Sequence, residues 1–137
     1  MTTAAELHAA VWAALDALPT VTAYDGDVPT KPPADASGRV YPYAVLWPSP
    51  GATPGDGPLG CVSPGTDWLV QVTVAAGTPT WCLQAVDVVR AALVGLQLAP
   101  DVSPLVDETP RSRLLSRDDD TTPPRWYVPL QFGCVTG

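Results

Sequence analysis

Apolar residues recur at helical spacing near the start of the chain, at Leu7, Ala10, Val11, Ala14, Leu15 and Leu18, behind Thr3-Ala4-Ala5-Glu6. A threonine followed three residues later by glutamate is a capping box, whose two side chains satisfy the free N–H groups of a first turn. Pro19 cannot continue a helix. The spacing therefore predicts a helix over Thr3–Leu18 with its apolar stripe turned toward a core. Thr20 to Tyr24 is rich in β-branched residues and runs into Asp25-Gly26, which predicts a short strand and a turn. Residues 28–42 carry four prolines and Ser37-Gly38 and read as loop. Tyr43 to Trp47 is apolar on both faces, as an interior strand is, and Pro48 stops it.

Asp67 to Ala75 alternates strictly, with Trp68, Val70, Val72 and Val74 on one face and Asp67, Leu69, Gln71 and Thr73 on the other. That period of two predicts a strand with one buried face. Gly77-Thr78-Pro79 supplies a turn, an N-cap and a proline at the first helical position. The helix that follows is expected to reach Gly95 or Leu96, with Cys82, Leu83, Val86, Val89, Leu93 and Leu96 as its apolar positions. Beyond Pro100, Val102–Val106 and Arg113–Leu115 are short strand candidates around Glu108-Thr109-Pro110. Arg117 to Pro124 reads as a polar turn. The last strand places Trp126, Val128, Leu130 and Phe132 on one side and Arg125, Tyr127 and Gln131 on the other. Pro129 removes a ladder donor, so an edge position or a bulge is expected there.

The order helix, three strands, helix, then two or three strands predicts an α+β domain. It has a mostly antiparallel sheet of four to five strands with both helices packed on one face. The 137 residues suit a single domain, 1–137, interrupted by the long Pro/Gly-rich loop 48–66. The other sheet face carries Leu69, Tyr127 and uncharged polar groups, and covering it takes a neighbouring subunit.

Composition sharpens this reading. Charged residues are only 15% of the chain, against about 25% in an average soluble domain, and such charge-poor surfaces continue into partner interfaces. Fourteen acidic against seven basic residues give a formal charge of −7. That leaves little basis for phosphate binding by counterion release, so sequence-specific nucleic-acid recognition is not expected. No signal-peptide pattern and no apolar run long enough for a membrane span is present, and a cytoplasmic site of synthesis without membrane association is expected.

Chemistry has few carriers. His8 is the only histidine and falls on the first helix as a solvated residue, so no base is evident for a serine or cysteine nucleophile. Cys61, Cys82 and Cys134 lie far apart with no CxxC pair, which argues against zinc and against a disulfide framework, and Cys82 reads as a small core residue. The run Asp118-Asp119-Asp120 lacks the alternation of a calcium loop and reads as a solvated hairpin tip. No GxGxxG, GxxxxGK or HExxH occurs. No catalytic residue, metal ligand or cofactor is assigned, and a non-enzymatic role is expected. Of the five tryptophans, Trp12, Trp68 and Trp126 fit the core. Trp47 and Trp81 border loops or a helix start, where large rings anchor protein contacts. With them, Arg111, Arg113, Asp118, Asp119 and Asp120 are the candidate assembly residues, within the loops 48–66 and 107–124.

Several segments together resemble tail terminator proteins from long-tailed phages of actinobacteria. They are the opening helix, Val21-Thr22-Ala23-Tyr24-Asp25-Gly26-Asp27-Val28-Pro29, and Tyr43-Ala44-Val45-Leu46-Trp47-Pro48. Gln71-Val72-Thr73-Val74, Gly77-Thr78-Pro79-Thr80-Trp81-Cys82 before a helix ending near Arg90-Ala91-Ala92-Leu93, and Arg125-Trp126-Tyr127-Val128-Pro129-Leu130-Gln131-Phe132 follow in the same order. The resemblance implies a virion protein of the tail and neck, assembled in the host cytoplasm as a ring, commonly a hexamer. Its partners would be further copies of itself, the tail tube protein on one side and the head-tail connector or stopper on the other. Its role would be to end tube polymerisation and join tail to head, with DNA only passing through and no cofactor. Two alternatives stand beside it: another neck component, such as a stopper or head-completion protein, and a small-ligand-binding or enzymatic α+β domain with a pocket beneath the 48–66 loop.

Overall fold

The computed structural model describes residues 2–50 and 66–136. The capping box forms as the sequence requires: Thr3 Oγ1 accepts the N–H of Glu6, and the Glu6 carboxylate accepts the N–H of Thr3 at 2.8 Å. Helix α1 (Ala4–Asp16) buries Leu7, Val11 and Leu15. Its last expected turn instead closes through Leu18 N–H to the Leu15 carbonyl. The strands are β1 (Thr22–Asp25), β2 (Tyr43–Trp47), β3 (Thr66–Ala76), β4 (Val106–Asp107), β5 (Ser116–Asp118) and β6 (Arg125–Thr136), with helix α2 (Pro79–Leu93) between β3 and β4.

These strands form one six-stranded sheet in the order β1-β2-β3-β6-β4, with β5 also pairing β6. Only β1 and β2 run parallel; every other pair is antiparallel. The fold is thus α+β with a mostly antiparallel sheet, slightly larger than the four to five strands expected. Register partners share a face, so Ala44, Val74 and Val128 lie side by side, as do Leu46, Val72 and Leu130. With Trp68, Val70, Phe132 and Cys134 they form the floor on which the stripes of α1 and α2 pack. Both helices therefore cover one face.

Among the described residues, the opposite face is covered at its β1–β2 end. A parallel pair needs a crossover, and residues 26–42 provide it without a helix. Val28 and Val40 from this crossover pack with Tyr24, Tyr43, Val45 and Ala75 in a second, smaller apolar cluster.

The structure corrects four expectations. Leu83 is 52% exposed, because the buried stripe of α2 is Cys82, Ala85, Val86, Val89 and Leu93, and Leu83 lies one residue, about 100°, around the helix. The helix ends at Leu93, with Gly95 at φ +81° just past it, where only glycine turns without strain. In the 100–118 region the strands are Val106–Asp107 and Ser116–Asp118, so Arg117 and Asp118 belong to a strand and Arg113–Leu115 does not. Last, β6 is not bulged, since its register with β3 runs unbroken from Trp126 to Thr136, and it is flanked by β5 and β4 on its other side, with the edge-like position expected at Pro129 reduced to the gap between them.

Pro129 is tolerated for a positional reason. The backbone of Gln131 bonds away from β3, to Glu108 and Thr109, and that of Val135 bonds to Ser103. By strand alternation the nitrogen of Pro129 points the same way, into the gap between β5 and β4. No donor is missed there.

Candidate functional site

Two surfaces stand out, one on each side of the sheet. On the helix-free face beyond the crossover, Trp47, Leu69, Val106 and Val135 are all exposed, Leu69 by 49%, and Tyr127 is exposed separately at the far end of β6, opposite Ala75. Register explains the grouping: Trp47 lies opposite Gln71, Leu69 opposite Gly133, and Gly133 opposite Val106. The polar members beside Trp47 are uncharged and bonded among themselves, while the Glu108 side chain lies beside Leu69 and Gly133 at the β4 end. Trp47 Nε1 donates to Thr73 Oγ1 at 3.0 Å, and Gln71 Nε2 donates to the same oxygen at 3.2 Å. Two shallow hollows, of about 360 and 260 Å³, flank Leu69, one bounded by Val106 and Val135 and the other by Trp47 and Gln131. The first exists because Gly133 has no side chain. A Cβ there would stand 2.9 Å from Leu69 Cδ2.

The second surface is a cleft of about 440 Å³ between α2 and the 107–115 segment. Its floor is apolar, from Leu83, Val86, Val128 and Leu130, and its rim carries Arg90, Arg111, Arg113 and Asp107. Arg90 Nε sits 2.8 Å from Asp107 Oδ2, close enough for an ion pair though not aligned as a hydrogen bond. Burial on its own would raise the Asp107 pKa, but hydrogen bonds from Thr109 and the Arg90 charge outweigh it and hold the carboxyl below its ordinary value. Arg111 and Arg113 are exposed and make no ion pair with the described residues.

The sequence candidates distribute unevenly over these surfaces. Trp47 lies on the bare face. Trp81 is half-buried at the start of α2, its ring stacked on Tyr41 at 5.9 Å with the Arg39 guanidinium 5.4 Å from its centre, so its contacts tie the crossover to the helix. Arg111 and Arg113 line the cleft. Asp118, Asp119 and Asp120 occupy the β5–β6 turn, where Asp118 Oδ1 accepts the Asp120 N–H at 3.0 Å and Arg117 pairs with Asp119. The expected assembly loop 48–66 falls mostly outside the described residues. Val106, Val135 and Arg90 were not singled out from sequence. Continuing the outward-facing series Tyr127, Pro129, Gln131 of β6 through Gly133 reaches Val135, whereas Arg90 joins the cleft only through tertiary packing.

His8 is not a freely solvated residue. Its Nε2 lies 2.8 Å from Asp25 Oδ1, linking α1 to the end of β1, and its Nδ1 is buried without a partner among the described residues. Trp68 is fully buried, its Nε1 donating to the Ser49 carbonyl, while Trp12 and Trp126 pack partly buried against the same core. Cys82 is buried as expected, and burial pushes its thiol up to about 11. Among the described residues no group of three or more His, Cys, Asp or Glu side chains is placed to hold a metal ion, and no helix is long and apolar enough to cross a membrane.

No protein-family model matches the chain, and no curated protein matches it either.

Proposed function

We propose that this chain is a structural, non-enzymatic virion protein that assembles as a ring on the end of a phage tail tube, ends its polymerisation and joins the tail to the head connector. The observation that carries the reading is the bare sheet face, where Trp47, Leu69, Val106 and Val135 stand exposed together on a chain otherwise able to bury its apolar strands. Contiguous exposed apolar surface on a small domain marks a contact with another protein. The resemblance to tail terminators supplies the kind of partner. The formal charge of −7 supports the same role, because a ring of such subunits repels DNA phosphates passing through it.

The test is electron microscopy and length measurement of tail tubes polymerised with and without the purified protein. Added protein produces a ring of density at one tube end and shorter tubes that no longer elongate. Tubes of unchanged length with bare ends sink the reading. A protein that binds an isolated head connector and ignores tubes belongs to another position in the neck.

A further inference from the structure

We infer that the arginine cleft between α2 and the 107–115 segment is a socket for the Asp118–Asp120 turn of a second copy of the chain. The inference rests on the proposed ring assembly and gives it one specific contact.

Charge carries the first part of the argument. The chain has seven basic residues in all, and three of them, Arg90, Arg111 and Arg113, line this one cleft. The single carboxylate on the rim, Asp107, already faces Arg90. Arg111 and Arg113 are left without an ion pair among the described residues, in a molecule whose formal charge is −7. Guanidinium groups recognise carboxylates in a planar, two-bonded geometry, so the cleft is complementary to an acidic protein segment.

The cleft also has an apolar floor. Leu83 is more than half exposed there, next to the buried Val86, Val128 and Leu130. An occupant that seals it excludes water from the arginine pairs and strengthens them. Its volume of about 440 Å³ admits a turn with two or three short side chains and is too open to enclose a small molecule on all sides.

The turn supplies what the cleft lacks. Asp118, Asp119 and Asp120 are consecutive, and the bond from Asp120 N–H to Asp118 Oδ1 holds them in one arrangement. Asp120 is exposed and has no ion pair among the described residues. Within one chain the two arginines and the turn do not meet. They are separate patches, so their contact is heterologous and propagates from copy to copy, which closes a ring when the rotation allows.

The test uses the full chain in sedimentation velocity at low and moderate salt. One variant reverses the socket, Arg111→Glu with Arg113→Glu; the other reverses the turn, Asp119→Lys with Asp120→Lys. Each variant alone self-associates at least about tenfold more weakly than the parent. Mixed in equal amounts they associate again, because every intact turn finds an intact socket. Arg113→Gln, a milder change, loses association in the same direction while melting like the parent. The inference is overturned by variants that associate as the parent does, by a mixture that stays monomeric, or by a parent that stays monomeric at low salt. A parent that associates only with an added DNA oligonucleotide assigns the cleft to phosphate and overturns it too. Variants that assemble and cap tubes normally sink the socket and leave the tail-end reading standing. If parent and variants alike ignore tubes, it is the tail-end reading that fails.

Discussion

Gly77 and Val40 meet backbone to backbone: the Gly77 N–H donates to the Val40 carbonyl at 2.8 Å, and a Cβ on Gly77 would lie 2.8 Å from the Val40 nitrogen. The same Cβ would come within 2.7 Å of Arg39 Cβ. This contact docks the crossover onto the start of α2, beside the stack of Tyr41 on Trp81.

Gly77→Ala is therefore expected to destabilise the domain by about 1–3 kcal/mol, because the obstructing atoms are main chain and the Cβ fixed to it, which cannot swing aside. Gly133→Ala is the contrasting case. There the nearest atoms are the ends of the Leu69 and Glu108 side chains, which can rotate away, so stability is expected to change by about 0.5 kcal/mol or less. Urea unfolding of the two variants separates these outcomes.

On α2, Leu83 and Val89 differ sharply in burial, at 52% and 0% exposed. Leu83→Asp is expected to leave the melting curve within about 0.5 kcal/mol of the parent. Val89→Asp places an unpaired carboxylate in the core and costs several kcal/mol, much of a typical domain's stability of about 5–15 kcal/mol. Thermal denaturation followed by circular dichroism checks both.

Along β6, substituting Pro129 by alanine adds a donor that faces the gap between β5 and β4, and the expected change is about 1 kcal/mol or less. Leu130→Pro removes a donor aimed at β3 together with a fully buried side chain, for a loss of at least about 3 kcal/mol. Equal losses in the two variants, measured in urea, would show that Pro129 faces β3 instead.

Asp107 has a depressed pKa in the folded chain, so its ionised form contributes stability at pH values above the unfolded carboxylate range. That contribution is lost as the pH falls below the unfolded carboxylate range and through the lower folded value. Asp107→Asn is expected to lower stability at neutral pH and to flatten the acid limb of the pH–stability curve. An acid limb identical to the parent's would show that neither the Thr109 hydrogen bonds nor the Arg90 charge stabilises the ionised Asp107.

Cys82 and Cys134 are buried, and burial raises both thiol pKa values, that of Cys82 to about 11. Thiolate is the reactive form, so neither residue is expected to react with a thiol reagent at pH 8 until the chain is unfolded. Peptide mass spectrometry after labelling in the presence and absence of denaturant reads each site separately.

The fold was legible in the sequence wherever a local period coincided with a buried face. Thr3 and Glu6, the bounds of β2, the alternation of β3 and the Thr78-Pro79 start of α2 all lie where local chemistry places them. Leu83 misled because an apolar residue beside a helical stripe looks like part of it until the neighbouring element fixes the helix rotation. Pro129 misled because the sequence marks a missing donor without saying which side of the strand the donor would have faced. The two- and three-residue strands β4 and β5 carry no period of their own and exist only through pairing with β6. The candidate surfaces were legible in part. Leu69, Tyr127, Arg111 and Arg113 stand out in the sequence, but the exposure of Leu83 and the reach of Arg90 into one cleft follow from packing.

The place of β6 bears on how the chain comes to be folded during its synthesis. Residues 125–136 pair with β3 on one side and hold β4 and β5 in place on the other, yet they are synthesised after every other strand of the sheet. Until they arrive, β1, β2 and β3 form a sheet whose long third strand has a bare edge and an apolar face bearing Trp68, Val70, Val72 and Val74. Unpaired edges of that kind recruit strands from other chains. Crowded polysomes translating this message thus hold many half-made sheets side by side, and the interval before Arg125 emerges is when they are most prone to aggregate.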